Sequence, residues 1–579
     1  MLKLLTKLMF LLNRKRRVQF AVLVVLMFLS AMAEVISLGL IVPFLGLLIA
    51  PDKLSNLPYV GNLAADLGYT TGREVLLILT ISFVAMSFLA GFIRMIQLWA
   101  STRVTFAAGS DISLEIYRRT LYQPYLVHLS RNSSVVISSV TEKVNQIAFW
   151  ILQPLVTFLS SILMLVFVTV TLILISPKVA CISIVSFGLA YVVILKLTKK
   201  KIYSNSLRIA TEQTRVVKAL QEGLGGIRDV LLDGTQNFYT NLYRSADSPL
   251  RIAHASNIFI SGFPRFIMES FGIALISGFA YYLSIQSENG AAAAFPILGV
   301  LALGAQRLLP ALQNGYNAWT SINGSRATLR DVLDLLQQPL NESDSNENIE
   351  KMQFEQSIEF KNVSFRYNKE MPLILNKANL SIKRGSRVGF VGTTGSGKST
   401  TLDLLMGLLN PESGEIQIDG QSVSSSNMKA WQKNIAHVPQ NIYLSDASIA
   451  ENIAFGMPKN QIDMDKVRTA ASKAQISDYI ESSLGGYEAF VGERGIRLSG
   501  GQRQRIGIAR ALYKDATVIV FDEATSALDA ETERNVMSAI ESLSHDLTIL
   551  IIAHRTSTLV LCDVIVTLQN GVMSVKEQK

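Results

Sequence analysis

Gly392-Thr393-Thr394-Gly395-Ser396-Gly397-Lys398-Ser399 decides how the second half of this 579-residue chain folds. The spacing is that of a P-loop. Arg387-Val388-Gly389-Phe390-Val391 reads as a buried strand before it, and residues 400–408 read as a helix after it. Glycines let the backbone wrap phosphate oxygens, and N–H groups at a helix start bind them. The pattern sets Lys398 against the β and γ oxygens, Ser399 on Mg²⁺, and Thr400 in the same turn. Further β-rich runs at 358–360, 517–521 and 548–552 alternate with helical stretches. That alternation implies a mostly parallel α/β sheet.

Thr517-Val518-Ile519-Val520-Phe521 closes on Asp522-Glu523. An aspartate at such a strand end can hold the Mg²⁺ shell, and Glu523 is placed to polarise an attacking water. A carboxyl pair closing a strand is also common in ordinary cores, so its weight comes from order. Between it and the P-loop stands Leu498-Ser499-Gly500-Gly501-Gln502, followed by Arg503-Gln504-Arg505. This element resembles the signature of ABC transporter ATPases. The resemblance implies roles for further positions. Tyr367 matches the aromatic that stacks on adenine, and Gln440 in Val438-Pro439-Gln440 the glutamine that senses Mg²⁺. Ser526-Ala527-Leu528-Asp529 matches a loop crossing between subunits, and His554 the switch histidine at the γ-phosphate. Val491-Gly492-Glu493-Arg494-Gly495 resembles a segment specific to exporters. The family implies ATP and Mg²⁺ as cofactors and ATP hydrolysis as the reaction, with Glu523, His554 and Lys398 catalytic. It also implies a head-to-tail dimer, in which Ser499, Gly500, Gly501 and Gln502 face the γ-phosphate held by the other subunit. A homodimer is the simple reading; a heterodimer with a similar chain is the alternative.

The first half belongs in lipid. Mean hydropathy is +0.31, and 17% of residues are charged, against about 25% in average soluble proteins. Apolar stretches long enough to cross a bilayer fall at about 19–49, 75–99, 147–175, 178–197, 257–285 and 291–314. Residues 1–340 carry 29 Lys and Arg against 16 Asp and Glu, whereas residues 341–579 carry 25 against 29. The basic excess thus lies between apolar segments, where the positive-inside rule puts it, and argues against a nucleic-acid partner. Arg14-Lys15-Arg16-Arg17 and the basic loop 196–256 set the N-terminus and the ATPase on the cytoplasmic side of a multi-pass protein; the resemblance given below implies a bacterial inner membrane. Inner segments 100–146 and 198–256 read as helices continuing below the membrane. Turns near Gln123-Pro124-Tyr125 and Gly234-Thr235-Gln236-Asn237-Phe238 would press on the ATPases. Cys181 and Cys562 offer neither a disulfide framework nor a metal cluster.

The expected architecture is an all-α six-helix transmembrane domain over residues 1–337, a polar linker at 338–356, and an α/β P-loop nucleotide-binding domain over 357–579. Membrane domain first and ATPase second resembles the ABC exporters. Arg94, Arg265 and Arg307 lie in or near apolar segments. A charge there costs about 2.5–3.5 kcal/mol on insertion scales, so it faces a cavity or a partner. Glu34 and Glu269 are the partners within reach; the other reading makes the arginines substrate ligands. The outer segment 51–69, with Leu54, Leu57, Val60, Leu63 and Leu67 at helical spacing, strengthens the second. Together these features resemble the lipid-linked oligosaccharide flippase of bacterial glycosylation pathways. The cargo implied is a polyprenyl-diphosphate oligosaccharide, with membrane lipid as the other partner. A drug, another lipid or a hydrophobic peptide is the alternative, and would favour a cavity dominated by aromatics. A channel-regulating ABC protein is a third reading, disfavoured by the intact Glu523 and His554.

Overall fold

The computed structural model describes residues 1–49, 72–175, 177–286, 295–340, 349–522, 531, 533–534, 547–552, 559–560, 562–569 and 571–578. The outer segment 51–69 therefore lies outside the described residues. Two compact units form, one from Met1–Gln123 and Arg131–Leu340, the other from Pro124–Ser130 and Asn341–Lys579.

The first unit is helical. Its long helices are Arg14–Ile49, Gly72–Leu121, a rod over 133–175, Pro177–Gly225, Gln236–Gln286 and Phe295–Gly324. Gly72–Leu121 holds 50 residues, Pro177–Gly225 49 and Gln236–Gln286 51. At 1.5 Å per residue each is about 75 Å long, more than twice the roughly 30 Å hydrocarbon core. The expected helical extensions beyond the membrane follow from that length. Among the described residues, four helices carry stretches apolar enough to cross a bilayer: Arg14–Ser37, Glu74–Leu121, Ser133–Leu174 and Gln236–Gly278. The expected span at 178–197 falls on the helix Pro177–Gly225, and that at 291–314 on the helix Phe295–Gly324 from Phe295 onward, its first four residues lying outside the described ones.

Polar pairs and one apolar cluster tie several of these helices together. Leu8 and Leu12 pack with Ile112, Ile116, Leu329, Val332 and Leu333. Arg16 Nε donates to Asp111 at 2.8 Å, and Lys143 Nζ to Asp331 at 2.5 Å. Between them the rod 133–175 is loosened by two π turns, Ser139–Lys143 and Ala148–Leu152. The second inner turn sits slightly earlier than expected. A short helix, Ile227–Leu232, precedes Gly234, whose φ of +66° breaks the chain before Gln236 begins the next rod.

In the second unit, strands β1 (Ser357–Phe365), β2 (Leu375–Lys383), β4 (Ser413–Ile418) and β5 (Gln421–Ser422) form an antiparallel sheet ordered β2-β1-β4-β5. The other sheet contains β3 (Arg387–Val391), β6 (Ile435–Val438), β7 (Val518–Asp522), β8 (Thr548–Ile552), β9 (Val564–Gln569) and β10 (Val572–Glu577), in the order β10-β9-β3-β8-β7-β6. All but β10 run parallel. Strands β7 and β8 are continuous apolar runs because both faces of a parallel sheet are covered. The expected linker ends as docked chain: Phe354 is buried, edge-on to Trp431 at 5.7 Å, and Met352 N–H donates to Ala430 O at 3.1 Å.

Candidate functional site

The phosphate-binding turn leaves β3 at its C-terminal end, between β8 and β9. Gly392, Gly395 and Gly397 have φ of +155°, +82° and +100°. A Cβ at Gly397 would meet Ile374 Cγ2 at 2.8 Å, so conformation and space both demand glycine there. Gly397 also caps the helix, which starts at Lys398, two residues earlier than the sequence suggests, and runs to Leu405. Lys398 is buried, and its Nζ donates to Gly392 O at 2.8 Å and Thr393 O at 3.1 Å. The Ser396 hydroxyl is buried without a protein partner. Thr394, Gly395 and Ser399 face outward. An orphaned hydroxyl in a cradle of glycine amides, beside a buried ammonium, fits a phosphate chain.

Tyr367 stands beside this turn, its hydroxyl 3.1 Å from Thr400 Oγ1 and its ring edge-on to Phe365 at 5.1 Å. Asp522 closes β7, in register with Ile552 on β8. Gln440 follows two residues after β6 ends and is exposed. Glu523, the loop 526–529 and His554 lie outside the described residues, though the strands leading to Glu523 and His554 are neighbours. The signature belongs to a different core. Ser499 caps the helix Gly500–Tyr513, with Gln502 N–H on Ser499 Oγ at 3.2 Å and Ser499 N–H on Gln502 Oε1 at 2.8 Å. Leu498 and Ile506 pack with Ile449, Val467 and Ile480, whereas Phe390 and Leu402 beside the P-loop pack with Phe360 and Trp431.

Asp403, in the helix that the P-loop opens, is a residue the sequence reading missed. Its signal was a lone acid in the apolar run Leu402-Asp403-Leu404-Leu405. Burial, and then the nearby charge of Asp522, push its carboxyl up to about 6. Two carboxylates that repel one another mark a place where positive charge is favoured, a setting that would suit a divalent cation. The short helix Tyr125–Ser130 groups with this unit, and burial followed by the charges of Asp403 and Tyr367 raises the Tyr125 phenol. Because the Asp403 pKa is raised on folding, its contribution to stability is fully present below about pH 4 and lost as pH rises through 6. Asp403→Asn is therefore expected to add about 1 kcal/mol at pH 7.5, after discounting for the water this half-buried group still reaches. Thermal inactivation measured from pH 5 to 8 checks this: the variant's profile flattens between 5 and 7, and an unchanged slope counts against it.

A second site lies inside the helical unit. A cavity of about 460 Å³ is lined by four of the long helices. Each contributes residues to one face: Ser30 and Glu34; Arg94, Gln97 and Ser101; Gln153, Thr157, Ser160 and Ser161; Gln306, Pro310 and Asn314, most of them three or four residues apart. Glu34 is 2% exposed and pairs with Arg94. Gln97 Nε2 donates to Ser160 Oγ at 2.9 Å, and Gln153 Oε1 is buried without a protein partner. Arg265 is elsewhere, exposed and paired with Glu269 at 2.7 Å. Arg307 lies on the helix Phe295–Gly324, but its side chain is outside the described residues. Of the three arginines, the structure brings Arg94 to the cavity and gives both Arg94 and Arg265 a carboxylate. No aromatic side chain lines the cavity among the described residues.

Residues 20–303 match the ABC transporter transmembrane region, and residues 375–526 match the ABC transporter ATPase domain. An ATP-dependent lipid A-core flippase of Saccharophagus degradans is 30% identical over 536 residues, 90% of this chain and 86% of that protein. The protein of that name from Pasteurella multocida is 31% identical over 399 residues, 67% of each chain. A bacterial Atm1-family ABC exporter solved with ATP bound superposes with a TM-score of 0.77 at 24% identity, covering 97% of this chain and 94% of that one. With a helical membrane unit joined to a P-loop ATPase unit in one polypeptide, the chain belongs to the ABC transporters, as a membrane-spanning exporter that couples ATP hydrolysis to transport.

Proposed function

We propose that this exporter is a flippase for a lipid-linked cargo, most specifically a polyprenyl-diphosphate oligosaccharide. The observation that carries this reading is the cavity: amides, hydroxyls and one ion pair among small and aliphatic side chains, on helices that include apolar stretches long enough to cross a bilayer, with no aromatic among its described lining residues. Such a surface suits a polar head drawn through lipid. A drug or hydrophobic peptide would favour an apolar, aromatic-lined pocket instead. Two curated relatives are ATP-dependent flippases of lipid A-core, as their names state.

In this proposal the chain works as a homodimer in a bacterial inner membrane, N-terminus and ATPase cytoplasmic. Tyr367 stacks on adenine, while residues 392–400 hold the phosphates. Ser399, Gln440 and Asp522 hold Mg²⁺, which would neutralise charge on the phosphates when bound. Glu523 orients the water and His554 contacts the γ-phosphate. Ser499, Gly500, Gly501 and Gln502 complete the site of the other subunit.

The test is transport in proteoliposomes by Arg94→Ala, Arg265→Ala and Arg307→Ala. Arg94→Ala is expected to slow flipping about tenfold or more, since it takes a half-exposed cation away from the buried Glu34 carboxylate. Arg265→Ala should change it little, because that side chain is exposed and already paired with Glu269. Equal flipping of a lipid-linked oligosaccharide and of a hydrophobic peptide would favour the second reading, an exporter of drugs, other lipids or peptides.

A further inference from the structure

The helix Leu2–Leu11 ends where Leu12 turns extended, with ψ of +145°, two residues before the long helix Arg14–Ile49 begins. One of its sides packs on protein. Leu8 is 1% exposed and, with Leu12, meets Leu329, Val332 and Leu333. Lys3, Lys7 and Phe10, four and three residues apart, share the opposite side. Both lysines are exposed, and Phe10 is 71% exposed between them and the chain's next turn. The charge here has one sign. Residues 1–33 hold six Lys and Arg and no Asp or Glu. Arg16 is taken by Asp111 at 2.8 Å, whereas Arg14, Lys15 and Arg17 are exposed.

Tethering limits what can cover this face. The stretch Arg14–Ser37 is apolar enough to cross a bilayer. A ten-residue helix and a two-residue link reach about 20 Å, so Leu2–Leu11 stays near the point where that stretch enters the membrane. An exposed aromatic ring flanked by lysines suits a helix seated at the headgroup boundary, ring toward the acyl chains and ammonium groups on phosphate.

We propose that the Lys3–Lys7–Phe10 face binds anionic phospholipid in the leaflet that Arg14–Ile49 enters at its N-terminal end, and that this contact tunes ATP turnover. The route to turnover is the packing of the other side. Leu8 and Leu12 brace the helix Arg326–Leu336, from which the chain runs on into its ATPase half. A helix held on the leaflet steadies the start of that connection. Charge selects an anionic lipid over a zwitterionic one, each lysine near the surface contributing about fivefold. Nothing in this contact depends on which cargo is carried.

The test uses the full chain in phosphatidylcholine vesicles with and without phosphatidylglycerol. Phe10→Trp is the probe, its fluorescence quenched by brominated lipid after the signal of the four native tryptophans is subtracted. Brominated phosphatidylglycerol is expected to quench about tenfold more effectively than brominated phosphatidylcholine, two lysines' worth after screening by salt. Lys3→Gln together with Lys7→Gln should bring that ratio near one. Turnover is compared as the ratio between the two vesicle types for each protein, in which partial loss of folded protein cancels. Phosphatidylglycerol should raise it in the wild type and not in the double variant, while the water-soluble head group, glycerophosphoglycerol, should have no effect. Equal quenching by both lipids overturns the charge selection, and no quenching means that protein, a second copy of this chain included, covers the face instead. Stimulation by the soluble head group, or a turnover ratio that the double variant leaves unchanged, overturns the proposal as well.

Discussion

Replacing Lys398 with alanine is expected to cut ATP turnover by about 10²–10³-fold, the usual consequence of removing one fixed electrostatic donor from a phosphoryl-transfer site. The structure explains why so large an effect should come from one side chain. Lys398 is 7% exposed, and its ammonium is held by Gly392 O and Thr393 O inside the turn that wraps the phosphates. Its desolvation has been offset by those carbonyls before any phosphate arrives, so little reorganisation is left for the reaction itself. The same bonds brace the loop, so alanine should weaken nucleotide binding too. Glu523→Gln should behave differently. If Glu523 polarises the attacking water as proposed, the change spares the phosphate contacts and removes that carboxylate, an effect worth about 10²–10⁴-fold. That variant is expected to bind ATP normally and to accumulate as a closed, ATP-loaded dimer. Nucleotide binding and turnover measured side by side separate the two outcomes, and near-normal turnover by Glu523→Gln would remove Glu523 from the mechanism.

The ATPase half was legible because its chemistry is local. Strand, glycine turn and helix follow one another along the chain, and the structure shifts the helix from 400–408 to 398–405, its start set by Gly397, which itself takes the left-handed capping position. The antiparallel sheet was not legible. In β2, Leu375–Lys383, the apolar residues are diluted by Asn376, Lys377 and Asn379, and its strand character comes from pairing with β1. The membrane half shows the same divide. The stripes 30/34, 94/97/101 and 153/157/160/161 have helical spacing and could each have been read alone. Which four helices share them is a tertiary fact. The arginines were found as cations in apolar segments, and the sequence supplied Glu34 and Glu269 as partners without ranking pairing against cargo. Packing ranks them: Arg265 meets Glu269 one turn away on an exposed face, while Arg94 meets Glu34 from a different helix, inside the cavity.

Ser499→Arg is expected to abolish turnover in a homodimer while costing only about 1 kcal/mol of stability, the worth of a helix cap. Ser499 is exposed, and its hydroxyl accepts from Gln502 N–H at the start of a 14-residue helix, so arginine can be accommodated in the single chain. What it spoils is the anion site that the helix N-terminus offers outward. Whether that site serves the same chain or the partner is decided by mixed dimers. Put Lys398→Ala on one chain and Ser499→Arg on the other. If each P-loop is completed by the partner's signature, one composite site carries both lesions and the other carries none, so substantial turnover survives. Put both lesions on one chain and pair it with wild type, and each composite site now holds one lesion, so turnover is lost. Sites built within a single chain give the opposite pattern: the first dimer is dead and the second keeps its wild-type half. The two arrangements contain the same two substitutions in the same proportion, so general destabilisation cannot produce the contrast. Survival in the separate-chain dimer and loss in the same-chain dimer is the expected result. The inverse would refute the shared site.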